Sequence, residues 1–309
     1  MKDEKEKSFS SLNLQPSAFG AIHIPVLTKE VMEMLEVKKN GTYVDATVGL
    51  GGHASGILSR IGDDGKLIGI DRDEEALKHA REKLGNGRVH LMQGSFSEIE
   101  ELLSRLNVQK VDGVLFDLGV SMLQLKEYRR GFSFLSGEKL DMRMDTAQDL
   151  TAWDVVNKYS GKELERILKD YGEERFAGRI AKAIDARRKK AAINTGSELA
   201  GIVAGATGRR GKTHPATKTF QALRIEVNRE LDELKKGLVS ALNVLKAGGR
   251  LLVISYHSLE DRIVKHFIKD NAREGLLKIL TKKPVGPGSV EMRQNPSARS
   301  AKLRGAEKI

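Results

Sequence analysis

Residues 43–53, YVDATVGLGGH, constrain the fold more than any other part of the 309-residue chain. An apolar run ends at an acidic residue and passes into Gly49, Gly51 and Gly52, ahead of an amphipathic stretch. Glycine reaches positive φ and lets backbone approach a ligand closely, and a helix start offers free amide donors. The same residues also suit a tight strand-to-helix turn that binds nothing. Twenty residues after Gly51, Leu67-Ile68-Gly69-Ile70-Asp71 is a second apolar run, and it ends in a carboxylate. In a doubly wound nucleotide site that carboxylate accepts hydrogen bonds from ribose hydroxyls. Loop and carboxylate together point to an adenosine-containing cofactor. They do not separate NAD from S-adenosylmethionine, although the lack of a standard G-x-G-x-x-G favours the latter.

The surrounding sequence repeats this strand–helix unit. Short apolar runs predict strands over 42–47, 67–71, 89–92 and 111–117, and helical periodicity fills 28–35, 54–60, 73–84 and 96–106. The expectation is an α/β fold with a doubly wound, mostly parallel sheet. The alternation stops after Asp117. Residues 121–214 are helical and charged, with Leu164, Ile167 and Leu168, then Phe176, Ile180 and Ile184, at helical spacing. The alternation resumes with a long helix over 217–245, a turn at Lys246-Ala247-Gly248-Gly249, a strand over 250–255 and a helix over 259–270. Two strand-like segments, 277–282 and 301–306, flank a loop holding Pro284, Pro287 and Pro296. The domain expectation is therefore a disordered tail over 1–20, a sheet domain over 21–120 and 215–309, and a helical insert over 121–214.

Composition narrows the chemistry. The chain has no cysteine, which excludes disulfides, thiolate metal sites and cysteine nucleophiles, and no metal is expected. Charged residues make up 31% and no apolar run reaches the length of about eighteen residues that a membrane helix needs. The first residues resemble neither a secretory signal nor a transit peptide, so a cytoplasmic location is expected. Lys and Arg outnumber Asp and Glu by 53 to 42, a net charge of +11. That excess suits an anionic partner such as nucleic acid, or simply a solvated basic surface. The candidates for phosphate contacts are Arg187, Arg188, Lys189 and Lys190 and then Arg209, Arg210 and Lys212 in the insert. Lys282, Lys283, Arg299, Lys302 and Arg304 are candidates near the C-terminus.

Further side chains could carry chemistry. Residues 111–121 form an apolar strand that empties into a loop at Asp117, at the sheet edge where ligands bind, although Asp117 could instead cap a helix. His257 follows the strand over 250–255 and could touch a base or take a proton; a hydrogen-bonded edge histidine is the competing reading. Asp141 and Asp145 are candidates that an acidic helix start explains equally well.

The motifs GGH at 51–53, DRD at 71–73, DLGVS at 117–121, RGFSF at 130–134, LDMRMD at 140–145, YGEERFAGRIAKAI at 171–184, HPATKTFQALRIEVN at 214–228, SYHSLEDRIVK at 255–265 and NPSARSAKLR at 295–304 occur in this order. Together they resemble the bacterial small-subunit ribosomal RNA cytosine methyltransferases called RsmH or MraW, over about residues 23–308. The resemblance implies a class I S-adenosylmethionine methyltransferase fold. It also implies cofactor binding through Gly51, Gly52, His53, Asp71, Phe96, Asp117 and Gln124. Asp71 would hold the ribose, Phe96 would pack on the adenine, and Asp117 and Gln124 would orient the methionine end. The methyl acceptor it implies is the exocyclic N4 amine of a cytidine in the decoding region of 16S ribosomal RNA. The insert would then recognise small-subunit ribosomal RNA within the small ribosomal subunit, and a homodimer stays open. Met122, Leu123 and Lys126 depart from the family's usual loop after Ser121. The composition adds an independent point: methylation at the cytosine ring carbon normally needs a cysteine nucleophile, and there is none. A DNA or small-molecule methyltransferase, a non-catalytic RNA-binding assembly factor and an NAD-dependent dehydrogenase are the competing readings.

Overall fold

The computed structural model describes residues 25–85, 87–120, 130–134, 137–208 and 214–309. The expected tail over 1–20, Met122, Leu123, Gln124, Lys126 and the cluster Arg209, Arg210 and Lys212 lie outside the described residues.

The apolar runs form five parallel strands: β1 (Thr42–Asp45), β2 (Lys66–Asp71), β3 (Val89–Gln93), β4 (Val111–Asp117) and β5 (Leu245–Ser255). Two further strands, β6 (Leu277–Ile279) and β7 (Lys302–Lys308), complete a sheet of order β3-β2-β1-β4-β5-β7-β6, in which β7 runs antiparallel to both neighbours. Alternate strand residues face opposite layers. Val44, Ile68, Phe116 and Val253 belong to one apolar cluster, while Tyr43, Leu67, Leu115 and Leu252 belong to the other. Burial on both faces explains why these strands read as continuous apolar runs.

Helices α1 (Thr28–Leu35), α2 (Gly52–Leu58) and α3 (Glu74–Leu84) contribute to the second cluster, and α4 (Ile99–Arg105) to the first. The insert contains α5 (Ala152–Lys158), α6 (Gly161–Asp170), α7 (Ala177–Arg188) and α8 (Gly196–Thr207). Capping boxes at Thr151/Asp154, Ser160/Glu163 and Thr195/Glu198 start α5, α6 and α8, satisfying amides that have no partner inside the helix. Leu164, Ile167, Leu168, Ile180 and Ile184, spaced as the sequence suggested, pack in a third apolar cluster. That cluster does not stop at residue 214. It takes in Phe220, Leu223 and Val227 of α9 (Thr217–Asn228).

The structure corrects several expected elements. The single helix over 217–245 is two helices, α9 and α10 (Glu230–Val244), separated at Arg229, which adopts φ 50°. The break is held by buried Asn228. Its Oδ1 accepts from the Met144 N–H at 2.8 Å, and its Nδ2 donates to the carbonyls of Met142 at 2.8 Å and Arg224 at 2.9 Å. The turn expected at 246–249 lies within β5. Leu245 pairs with Val111 and Arg250 with Gly113, so the extra residues bulge out with Gly248 at φ 73°. No helix begins at Asp141 or Asp145: Asp141 binds the Arg143 guanidinium at 2.7 and 2.9 Å, and Asp145 accepts from the Ala147 N–H. The expected strand over 277–282 ends at Ile279. The helix after β5, α11, spans Ser258–Arg273.

Candidate active site

A cleft opens at the carboxyl ends of β1, β2, β4 and β5, where open α/β sheets bind ligands. Its floor is the glycine loop. Gly51 takes φ 73° as the residue before α2, and a Cβ on Gly52 would stand 2.9 Å from the Pro25 ring. Asp71, at the end of β2, fixes this loop: its Oδ2 accepts from the Gly49 N–H and its Oδ1 from the Asp73 N–H, both at 2.9 Å. Burial pushes Asp71 up to about 6 against these two bonds. Arg130 of the RGFSF motif reaches Asp73 at 2.7 Å and so anchors that motif at the start of α3.

Phe96 lines the same cleft in a single 3₁₀ turn after β3. It meets the Phe116 ring edge-on at 5.5 Å, and the Arg72 guanidinium lies 5.6 Å from its centroid. Arg72 is itself tied to Glu233, to Ser95 Oγ at 2.8 Å and to the Asn228 carbonyl at 3.0 Å. A Cβ on Gly237 would stand 2.7 Å from Phe96, so the ring fits only because α10 has no side chain there. Phe96 with Leu234 gives the cleft an apolar wall suited to a flat aromatic ring.

The ends of β1 and β4 supply a second set of groups. The Asp117 amide donates to Thr47 Oγ1 at 2.6 Å, the Tyr256 hydroxyl donates to Asp117 Oδ1 at 2.8 Å, and Asp117 Oδ2 stands 3.5 Å from His53 Nδ1. His53 Nε2 lies 2.8 Å from the Val26 carbonyl. A carbonyl only accepts, so Nε2 carries a proton. Asp45, 1% exposed, is pushed up to about 7 by burial, with His53 and the Thr47 N–H opposing and Asp117 and Asp71 adding to the rise. Carboxylates converging on adjacent strand ends repel one another, and a cation placed between them relieves that repulsion. Burial, then Asp117, pushes the Tyr256 hydroxyl up, so it stays a donor.

Arg224 of α9, Glu230 of α10 and Glu260 of α11 form the opposite wall. Arg224 binds Glu230 through two bonds of 2.7 and 2.8 Å. Burial works against the charge on Glu260, but His257 and Arg224 outweigh it and hold that carboxyl below its ordinary range. His257 is the cap of α11: its Nδ1 accepts from the Glu260 N–H at 3.4 Å and its Nε2 stands 3.2 Å from Glu260 Oε1. It does not line the cleft, whereas Tyr256, one residue earlier, does. Glu230, His257 and Glu260 bring ligand atoms within 4.8 Å of one another. The Arg224 guanidinium already occupies the cationic position against Glu230.

The cleft therefore gathers Gly52, His53, Asp71, Phe96 and Asp117, with Gly51 supporting the loop. Arg224, Glu230 and Tyr256 line it too; Arg224 and Tyr256 sit inside the motifs at 214–228 and 255–265, as the buried Asp45 sits inside that at 43–53, but nothing in those motifs singles them out, and Glu230 lies outside them. Asp141 and Asp145 shape the LDMRMD segment so that Met144 reaches the cleft. The basic clusters divide. Arg188 is taken up by Asp185 and the Val156 carbonyl, and Arg304 is buried against Asp261 at 2.7 Å. Lys190, Lys282, Lys283 and Arg299 are exposed. Among the described residues no helix is long and apolar enough to cross a membrane.

Residues 20–309 match the MraW methylase family. The chain is 53% identical over 292 residues to the ribosomal RNA small subunit methyltransferase H of Persephonella marina, covering 93% of this chain and 99% of that protein. It is 49% identical over 304 residues to the protein of the same name from Caldicellulosiruptor bescii, with the same coverage. With the glycine loop, Asp71 and Asp117 placed on one cleft and the match running through nearly the whole sequence, the chain belongs to the MraW methylase family.

Proposed function

We propose that this protein transfers a methyl group from S-adenosylmethionine to the exocyclic N4 amine of a cytidine in the decoding region of 16S ribosomal RNA. The reading rests on one observation above all: the Asp71-anchored glycine loop and the Asp117 carboxylate line a single cleft, with the buried Asp45 carboxyl close to His53, Asp117 and Asp71. These residues fit the cofactor. Asp71 keeps lone pairs for ribose hydroxyls beyond the two amides it binds, Phe96 offers a face to the adenine, and Asp45 and Asp117 favour a sulfonium. Gly51, Gly52 and His53 would bring backbone and ring close to the methionine end, where the family resemblance also assigns Gln124. When bound, the cofactor supplies an electrophilic methyl group, and no covalent enzyme intermediate is needed.

The chain's own residues then orient and polarise. The cytosine amine is a weak nucleophile because its lone pair is delocalised into the ring. An acceptor on its N–H bonds, at Asp117 or a neighbouring loop carbonyl, would return density to nitrogen as the nitrogen–methyl bond forms and the sulfonium–methyl bond breaks, the surplus proton on nitrogen then passing to Asp117 or to solvent. Tyr256 holds Asp117 in place for this. His257 serves the same edge by capping α11 and fixing Glu260. A paired amine cannot reach the cleft, so the target base is unpaired or extruded. The insert over 121–214 carries exposed basic side chains for phosphates, the substrate is met within the small ribosomal subunit, and the protein acts in the cytoplasm. The test is mass spectrometry of nucleosides after incubating small subunits with protein and cofactor. N4-methylcytidine is the expected product; 5-methylcytidine, or equal activity on a fully paired duplex, would refute the mechanism.

A further inference from the structure

The wall formed by Arg224, Glu230 and Glu260 is not needed to hold the cofactor as described above. Arg224 uses Nε and Nη2 on Glu230, and its Nη1 makes no hydrogen bond among the described residues. Arg224 lines the cleft, and Nη1 is not sealed away as a buried atom without a partner. The guanidinium is held flat by the two-point contact, so its free edge points in a fixed direction at little entropic cost. Glu230 neutralises the guanidinium and Glu260 adds a negative charge beside it. Such a wall disfavours a second carboxylate, including that of a methionine moiety, and suits a neutral acceptor.

The wall also sits on the acceptor side. Asp71 and Phe96 occupy the β2–β3 end, whereas Glu260 follows β5 and Arg224 belongs to the helix that packs into the insert core. A cytosine with its amine near Asp117 presents N3 and O2 as adjacent acceptors on the same edge. Uracil has a donor at N3, and adenine has a C–H where cytosine has O2.

We propose that Arg224 is a specificity-determining residue that reads the N3/O2 edge of the extruded cytosine, with Glu230 fixing its orientation. The inference rests on the function proposed above and adds the groups that recognise the base.

The test compares small subunits carrying cytidine or 3-deazacytidine, which replaces N3 by C–H, at the target position. Wild type and Arg224→Gln are assayed for kcat/KM on both, with S-adenosylmethionine affinity measured by calorimetry. Wild type should lose about 10- to 100-fold on the deaza base, the range for a hydrogen bond to a charged donor. Arg224→Gln should lose a similar factor on cytidine, show a deaza penalty of no more than about threefold, and bind cofactor as wild type does. Any change in intrinsic amine reactivity affects both proteins equally and cancels in this comparison. Arg224→Lys, which keeps the charge beside Glu230 but not the flat fork, is the second variant if the glutamine form does not fold. It too should lose the deaza penalty. A full penalty retained without Arg224, an indifferent wild type, or a tenfold loss of cofactor affinity in the variants overturns the assignment. If wild type makes no N4-methylcytidine on unmodified subunits, the functional reading itself falls and takes the inference with it.

Discussion

Replacing Asp45 by Asn should stabilise the cofactor-free protein above neutral pH, and the amount follows from the burial of one carboxylate. Asp45 is 1% exposed, and burial lifts its pKa from the ordinary 3.8 to about 7. The ionised form is thus less favourable in the fold than in the unfolded chain. Its contribution to stability is fully present below pH 4 and is lost as pH rises through 7. The gap amounts to about 4 kcal/mol. An asparagine keeps an oxygen for the Thr47 N–H, which Asp45 Oδ1 accepts at 3.3 Å, and carries no charge. Urea denaturation without cofactor from pH 4 to pH 8 should show the variant more stable at pH 8, the difference shrinking as pH falls and the two proteins converging only near pH 4. Cofactor affinity should move the other way, because the sulfonium loses a counter-charge. A stability difference that does not vary with pH, or a variant less stable at pH 8, would show that Asp45 is not a buried carboxylate titrating near neutrality.

Asp71→Ala should weaken S-adenosylmethionine binding by roughly 1–3 kcal/mol in a calorimetric titration and lower the melting temperature, because the Gly49 and Asp73 amides lose their acceptors. Changing Arg187, Lys189 and Lys190 to Ala while sparing Arg188, whose side chain is bound to Asp185 and the Val156 carbonyl, should flatten the salt dependence of RNA binding and leave cofactor affinity unchanged. An unaltered slope would make the cluster a solvated surface. Asn228→Ala should reduce stability by about 2–4 kcal/mol in denaturant unfolding, since it strands the Met144 amide and the Met142 carbonyl.

The sequence was most legible where local and tertiary demands agree. The expected bounds of α1 and β4 coincide with those observed, because periodic burial and flanking polar residues say the same thing. Asp71 and the glycine loop were legible for a related reason: strand end, turn and carboxylate are neighbours in sequence. The break at Arg229 was hidden, since no glycine or proline marks it and the left-handed backbone is imposed by Asn228 bonding a segment more than eighty residues away. The bulge in β5 was read as a turn, because the glycines of 246–249 say that the chain bends but not that pairing continues. Asp45, Tyr256 and Arg224 were missed as site residues because each matters through partners on other elements. The basic clusters misled in part: composition counts Arg188 and Arg304 as available charges, and only the fold shows them committed to Asp185 and Asp261.

The sharing of α9 between the insert core and the cleft has a practical consequence for protein engineering. Phe220, Leu223 and Val227 pack with the insert, while Arg224 on the same helix binds Glu230 across the Arg229 break. A chimera that exchanges the insert at residue 214 would cut this helix away from the core it completes. It would pair one protein's helical core with another's α9. Grafts should keep α9 with the incoming insert, join near Arg229, and carry Glu230 along with Arg224. A transplant made at the more obvious loop should yield soluble protein with a loosened helical half, even between relatives that share half their residues.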